Sequence, residues 1–124
     1  MKIIPRFFHG VADYVTGVFL LLAPNLLGFA DLPGAAVWVT RIVGIMILGQ
    51  AMMTDYELGL IKMIPIAMHL MTDYVVGVLL IAAPWVFGFS GVRVAVMTLT
   101  VVGLLVLGMT AMTEPRGRPR KIMA

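Results

Sequence analysis

The chain of 124 residues contains no cysteine and few charged residues. Without thiols it has no disulfide, no thiolate zinc site, no cysteine-ligated iron–sulfur cluster and no cysteine nucleophile. Charged residues make up 12% of the sequence and apolar residues 61%, whereas soluble domains are about 25% charged and roughly 45 to 50% apolar. This composition excludes an ordinary soluble or disordered protein and predicts a single membrane domain over residues 1–124.

Several motifs of soluble enzymes and nucleic-acid-binding proteins are also missing. The chain has no glycine-rich phosphate loop and no serine-based triad. Its nine Lys and Arg residues are scattered and form no basic patch, so we expect no nucleic-acid partner. The sequence therefore gives no positive indication of an enzyme.

Four long apolar stretches are present, at residues 7–29, 35–53, 64–89 and 94–112. Each is long enough to cross a hydrocarbon core of about 30 Å as a helix. Two spans precede the central loop and two follow it, so the N-terminus, this loop and the C-terminus lie on one side of the membrane. That side carries Lys2, Arg6, Lys62 and the basic tail 114–124. The positive-inside rule therefore predicts that both termini and the central loop face the cytoplasm.

The sequence repeats itself. At an offset of 60, residues 9–30 align with residues 69–90, and eleven of these twenty-two positions are identical. At an offset of 59 the second spans also align, through pairs such as Gly44/Gly103 and Thr54/Thr113. The repeats cover about 5–54 and 65–113. Each holds two spans, so they enter the membrane in the same direction. We therefore predict an all-α four-helix bundle made of two parallel-repeat transmembrane hairpins.

A proline motif ends the first span of each repeat. Ala23-Pro24-Asn25 and Ala83-Pro84-Trp85 are each followed by a Gly-Phe pair. This pattern resembles the SPW-repeat family of small integral membrane proteins. The resemblance implies a multi-pass location in the inner (plasma) membrane of a bacterium or archaeon and a repeat architecture, without a particular activity. From the residues themselves, Pro24 and Pro84 are expected to have structural roles, because a proline inside a helix removes a backbone hydrogen bond and bends it.

The only two histidines occupy equivalent positions in the two repeats, and each precedes an aspartate by four residues. The i, i+4 spacing places His9 with Asp13, and His69 with Asp73, on one helix face. Ionisable residues inside membrane spans are rare and usually face the bundle interior. Because equivalent residues lie at equal depth, these four side chains can converge into one cluster, which we call the His–Asp quartet.

One glycine in each repeat lies on the same predicted helix face as the quartet residues. Gly17 and Gly77 lie four residues beyond the aspartates, on the same helix face. Small residues at such positions let a neighbouring helix approach closely. We therefore expect Gly17 and Gly77, like the two prolines, to be structural.

Several roles are open for the quartet. In the simplest, each aspartate hydrogen-bonds the histidine on its own helix and the pairs hold helices together. Alternatively, His9, Asp13, His69 and Asp73 are ligands of a transition metal such as zinc, iron or manganese. His9 and His69 are also candidate axial ligands of haem b, with the aspartates behind them. A fourth hypothesis is an oligomeric proton or ion pathway.

Taken together, the sequence predicts a small multi-pass inner-membrane protein with a structural or accessory role. Its expected surroundings are the lipid bilayer and either further copies of itself or a larger membrane complex. The metal- or haem-binding module and the ion pathway are the alternative functions.

Overall fold

The computed structural model describes residues 3–32 and 34–114. Its four helices are α1 (Arg6–Leu26), α2 (Ala35–Met52), α3 (Ile66–Val86) and α4 (Arg93–Met112). All four are long and apolar enough to cross a membrane, which confirms the predicted all-helical membrane bundle. Two short strands, β1 (Ile4–Pro5) and β2 (Thr113–Glu114), flank the helices. The basic tail from residue 115 and Lys2 lie outside the described residues.

The first helix of each hairpin ends in the same turn. Gly28 and Gly88 have left-handed φ values of 79° and 77°, a conformation that glycine adopts without strain. The Phe29 amide then donates to the Pro24 carbonyl at 2.9 Å, as in a Schellman motif. Consequently α1 and α3 end at Leu26 and Val86, three residues before the ends of the predicted spans. The phenylalanine after each glycine, by contrast, is buried in the core.

Close glycine contacts hold the two helices of each hairpin together. A Cβ atom added to Gly44 would lie 2.8 Å from the Gly17 carbonyl oxygen, and one added to Gly103 would lie 2.8 Å from that of Gly77. Side chains larger than hydrogen would push the helices apart at these points. Gly17 and Gly77 therefore lie where α1 and α2, and α3 and α4, are in close backbone contact.

The two hairpins meet around an apolar core. Leu20, Leu80 and Leu99 are fully buried in this core, next to residues from α2 such as Val43. Many apolar side chains on the outer helix faces are exposed, among them Val15, Met71 and Leu104. Such a surface is unfavourable in water and suits lipid. The bundle thus has a mainly apolar core and many apolar side chains on its outer surface, as expected in a membrane.

Two backbone bridges close one end of the bundle, which we call the polar end. Strand β1 pairs in parallel with β2, so that Ile4 lies opposite Thr113. An equivalent bridge joins Ile64 to Thr54. In each case the segment before one hairpin pairs with the segment after the other. The bridges therefore fix two threonines at the same depth in the bundle.

At the opposite end, Arg41 has partners within the protein. Its guanidinium donates to the Asn25 side-chain oxygen at 2.8 Å and to the Leu21 carbonyl at 3.2 Å. Asn25 is the third residue of the first proline motif, and the equivalent residue of the second motif is Trp85. The equivalent of Arg41 in the second repeat is Thr100. The asparagine and the arginine thus form a pair that exists only in the first repeat.

Candidate functional site

The four residues of the His–Asp quartet meet in the bundle interior near its polar end. His9 and Asp13 come from α1, and His69 and Asp73 come from α3. All four are buried. The two imidazole rings are 5.6 Å apart between centroids and nearly perpendicular. The pseudo-twofold relation of the repeats has therefore brought together two polar pairs that are 60 residues apart in the sequence.

The hydrogen bonds of the quartet run between the hairpins. His9 Nε2 lies 2.7 Å from Asp73 Oδ2, and His69 Nε2 lies 2.8 Å from Asp13 Oδ2. Within one helix the separations are longer, at 3.3 Å from His9 to Asp13 and 3.1 Å from His69 to Asp73. Each aspartate thus pairs most closely with the histidine of the other repeat. The expected bond between an aspartate and its own histidine is the longer contact here.

A threonine completes the environment of each histidine. His9 Nδ1 lies 2.7 Å from Thr113 Oγ1, and His69 Nδ1 lies 2.6 Å from Thr54 Oγ1. Each threonine hydroxyl also donates to the carbonyl four residues before it, at 2.6 Å in both cases. These carbonyls belong to the last turn of a helix, where backbone acceptors lack intrahelical partners. The threonines therefore connect the ends of α2 and α4 to the quartet.

The threonine bonds determine which histidine nitrogen carries a proton. A hydroxyl has a single hydrogen, and in Thr54 it is donated to the Gln50 carbonyl. The Thr54 oxygen must therefore accept a hydrogen bond from His69 Nδ1, which is protonated. The same holds for Thr113 and His9. Both Nε2 atoms consequently face the carboxylates, and one proton lies between each Nε2 and its aspartate oxygen.

Gln50 makes the quartet asymmetric. Its side-chain amide donates to Asp73 Oδ1 at 3.2 Å and to the His69 carbonyl at 3.3 Å. The equivalent residue in the second repeat is Met109, which has no hydrogen to donate. Asp73 therefore has a donor from the neighbouring helix that Asp13 lacks.

Tyr56, in the loop between the hairpins, covers the side of the quartet that faces the polar end of the bundle. Its ring lies 6.1 Å from the His69 ring between centroids. It also occupies the space where a side chain of Gly10 would lie. Burial, together with the negative charge of nearby Asp13, raises the pKa of Tyr56, so its phenol stays neutral. The loop is held in place by an Arg6–Glu57 ion pair of 2.7 Å.

The quartet has the composition and size of a metal site. Each of its four residues offers one ligand atom, and these atoms all lie within 4.8 Å of one another. The ligand atoms of a tetrahedral zinc site are roughly 3.3 Å apart, given bonds of about 2.0 to 2.1 Å. A small inward movement of the side chains would therefore suffice to surround an ion.

Comparison with known families identifies the architecture. The family model described as "SPW repeat domain" matches residues 7–113. The chain belongs to the SPW repeat family. The match covers both hairpins, including the quartet and both proline motifs. Comparisons with curated proteins and with solved structures found no match.

The two proline motifs form the turns at which α1 and α3 end. Pro24 and Pro84 lie inside their helices, and their carbonyls accept the hydrogen bonds that close the turns. The following glycine provides the left-handed turn residue, and the phenylalanine fills the core. Because the quartet residues lie in the first half of α1 and α3, the two proline motifs are at the opposite end of the bundle.

The sequence identified the quartet but not its neighbours. Thr54 and Thr113 were visible as an aligned pair in the two repeats, a signal that could have suggested a shared role. Gln50 gave no such signal, because its repeat equivalent is a methionine. Tyr56 lies in the segment between the repeats, so no internal alignment could identify it.

Proposed function

We propose that this SPW repeat protein is a membrane module that binds one divalent transition metal, with zinc as the best match, at His9, Asp13, His69 and Asp73. The observation that carries the proposal is the orientation of both Nε2 atoms towards both carboxylates, with each Nδ1 held by a threonine. Metal-bound histidines are usually oriented in this way by a hydrogen bond to the other ring nitrogen. Imidazole and carboxylate ligands suit zinc, iron and manganese.

The same geometry favours an ion over a haem. Carboxylate oxygens lie 2.7 and 2.8 Å from the two Nε2 atoms, which are the atoms that would bind the haem iron. The Tyr56 ring occupies the space beside Gly10. A macrocycle between the imidazoles would have to displace these groups, whereas an ion needs only to replace two protons.

The metal proposal is tested by elemental analysis and a visible absorption spectrum of the purified protein. The comparison includes a His9→Ala/His69→Ala variant and Thr40→Val, which removes a buried hydroxyl that bonds only its own helix. We expect about one zinc or, after exchange, one cobalt per chain in the wild type and in Thr40→Val, and none in the histidine variant. A Soret band would favour haem, and a wild-type protein that takes up no added metal would overturn the proposal.

A second candidate function is structural, in an accessory subunit of a larger assembly. It is favoured by the reciprocal hydrogen bonds, which join hairpins that otherwise pack mainly within themselves. On this alternative the chelator-treated protein loses stability when both histidines become alanine, and native mass spectrometry of mild membrane extracts detects further copies or other subunits. Full stability of the metal-free histidine variant would exclude it.

An ion pathway has less support from the geometry. Beyond the quartet and its threonines, the described bundle interior is mainly the apolar core around Leu20 and Leu80, and buried hydroxyls such as that of Thr40 form no continuous polar path. A proton relay through the membrane needs polar groups along its path. Measurement of proton flux in vesicles that contain wild type or Asp13→Asn tests this alternative, and equal flux would exclude it.

We further propose that the polar end faces the cytoplasm. Arg6 and Lys62 lie at this end, as the positive-inside rule requires. A reporter enzyme that is active only in the cytoplasm should therefore be active when it is fused after Ala124. Activity of an external-type reporter at the same position would reverse the orientation.

A further inference from the structure

Asp13 has capacity to accept a hydrogen bond that nothing in the described part of the chain uses. Its Oδ2 atom pairs with His69, whereas its Oδ1 atom has only the 3.3 Å contact with His9. In the other repeat, Asp73 Oδ1 accepts a hydrogen bond from Gln50. The difference arises because Met109 stands where Gln50 would be repeated.

A cavity lies on this side of the quartet. It has a volume of about 300 Å³ and runs between α1 and α4, with His9 and Asp13 at one end and Met109 in its wall. The remaining wall is almost entirely apolar and includes Phe19, Val102 and Val106. A dry cavity of about 150 Å³ is enough to bind benzene. The space can therefore hold a substituted ring.

The cavity opens towards lipid. Val15, Val101 and Leu105 line it and are 64%, 56% and 61% exposed on the outer surface of the bundle. A ligand would thus arrive from the bilayer with an apolar body. Its polar group must donate a hydrogen bond, because the unused Asp13 oxygen is an acceptor. A neutral donor is favoured, since a further charge at this depth is costly.

We propose that the α1–α4 cavity binds an apolar, neutral molecule with one hydroxyl group, of the phenol class, whose hydroxyl donates to Asp13 Oδ1. This proposal does not depend on the metal, which would need only one oxygen of Asp13. It also accounts for the difference between Gln50 and its repeat equivalent Met109. A glutamine at position 109 would itself donate to Asp13, and the ligand would then have no free acceptor. Gln50 supplies such a donor to Asp73 on the equivalent α2–α3 side of the quartet.

The test uses 4-(trifluoromethyl)phenol and (trifluoromethyl)benzene as fluorine NMR probes of the chelator-treated protein in lipid nanodiscs. We expect a saturable bound signal for the phenol, at one per chain. The benzene probe, which lacks the hydroxyl, should bind at least tenfold more weakly, as expected for the loss of a hydrogen bond to a charged acceptor. Equal binding of the two probes, or no saturable binding, would overturn the proposal.

Variants of α4 locate the site. Met109→Gln should lower phenol affinity at least tenfold, whereas Met112→Gln, the same change at a residue that does not line the cavity, should leave it unchanged. Val106→Phe fills the cavity with an apolar ring and should abolish phenol binding, which provides a second test if Met109→Gln does not fold. Phenol binding that survives Val106→Phe in a folded protein would contradict the proposed location. Because metal is absent throughout, the outcome is independent of the metal proposal.

Discussion

His9 bonds to Asp73 on the other hairpin, with 2.7 Å between Nε2 and Oδ2, although Asp13 lies only one turn away on its own helix. The reciprocal bond joins His69 to Asp13. Because each histidine bonds to the aspartate of the other hairpin, the quartet is a single unit that neither hairpin can form alone. The same interactions that would orient metal ligands also hold the two halves of the bundle together.

The bonds between the hairpins predict a measurable coupling energy between His9 and Asp73. A double-mutant cycle with His9→Ala and Asp73→Ala, measured as the free energy of unfolding of metal-free protein in bicelles, should give a coupling energy of about 0.6 to 1.7 kcal/mol, the average and the largest value for polar contacts in membranes. The matched cycle with His9→Ala and Asp13→Ala should give a smaller coupling, because that separation is 3.3 Å. A larger coupling within the helix would contradict the arrangement described.

The threonines should control metal affinity without being ligands. In Thr54→Val the His69 Nδ1 atom loses its acceptor, and the ring is no longer held in the orientation that directs Nε2 to the carboxylates. Loss of such an orienting group typically lowers metal affinity by about 10- to 100-fold. Thr54→Ser should restore most of the affinity, because it retains the hydroxyl.

Thr72 provides the control for this prediction. Its hydroxyl makes the same bond to the carbonyl four residues before it, at 3.0 Å, but is exposed and outside the quartet. Thr72→Val should therefore leave zinc affinity unchanged in a competition assay with a chelating dye. An equal loss of affinity in Thr54→Val and Thr72→Val would show that the hydroxyl acts on the helix and not on the histidine.

Metal binding near neutral pH should release two protons per ion. Each Nε2–carboxylate pair holds one proton in the metal-free arrangement, and the ligands must be free of protons to bind an ion. Calorimetric titration with zinc in buffers of different ionisation enthalpy measures this number. A value near zero would mean that the ion binds elsewhere on the protein.

The glycine contacts predict which small substitutions the bundle tolerates. Gly44→Ala would place a methyl group 2.8 Å from two backbone atoms of α1, whereas Gly49→Ala meets nothing within 4 Å. We expect Gly44→Ala to lower the free energy of unfolding by about 1 to 3 kcal/mol, as overpacked sites do. Gly49→Ala should be neutral or slightly stabilising, and a similar loss in both variants would show that helix packing is not the cause.

Much of the fold could be predicted because the membrane leaves few options. Four apolar stretches of sufficient length specify four helices, and the repeat between residues 9–30 and 69–90 specifies equivalent hairpins. The ends of α1 and α3 were predicted three residues too late. Hydrophobicity continues through Phe29 and Phe89, whereas the backbone turns at the preceding glycines.

The quartet itself could be predicted from periodicity and equal depth, but its pairing could not. Spacing along one helix indicates that Asp13 can reach His9, and it contains nothing about which side chain of α3 is closer. The bond to Asp73 depends on how the hairpins pack. The role of Tyr56 depends likewise on the path of a loop, which has no periodicity to analyse.

Tyr56 packs over Gly10 in a segment that the chain contains only once, because two tandem hairpins have a single internal connection. The residue equivalent to Gly10 is Leu70, whose larger side chain is buried in the structure. Two separate copies of one hairpin that assembled as a symmetric dimer would have to share the same residue at both positions. Duplication within one chain removes that constraint. One half of the site can then have a contact that the other half lacks.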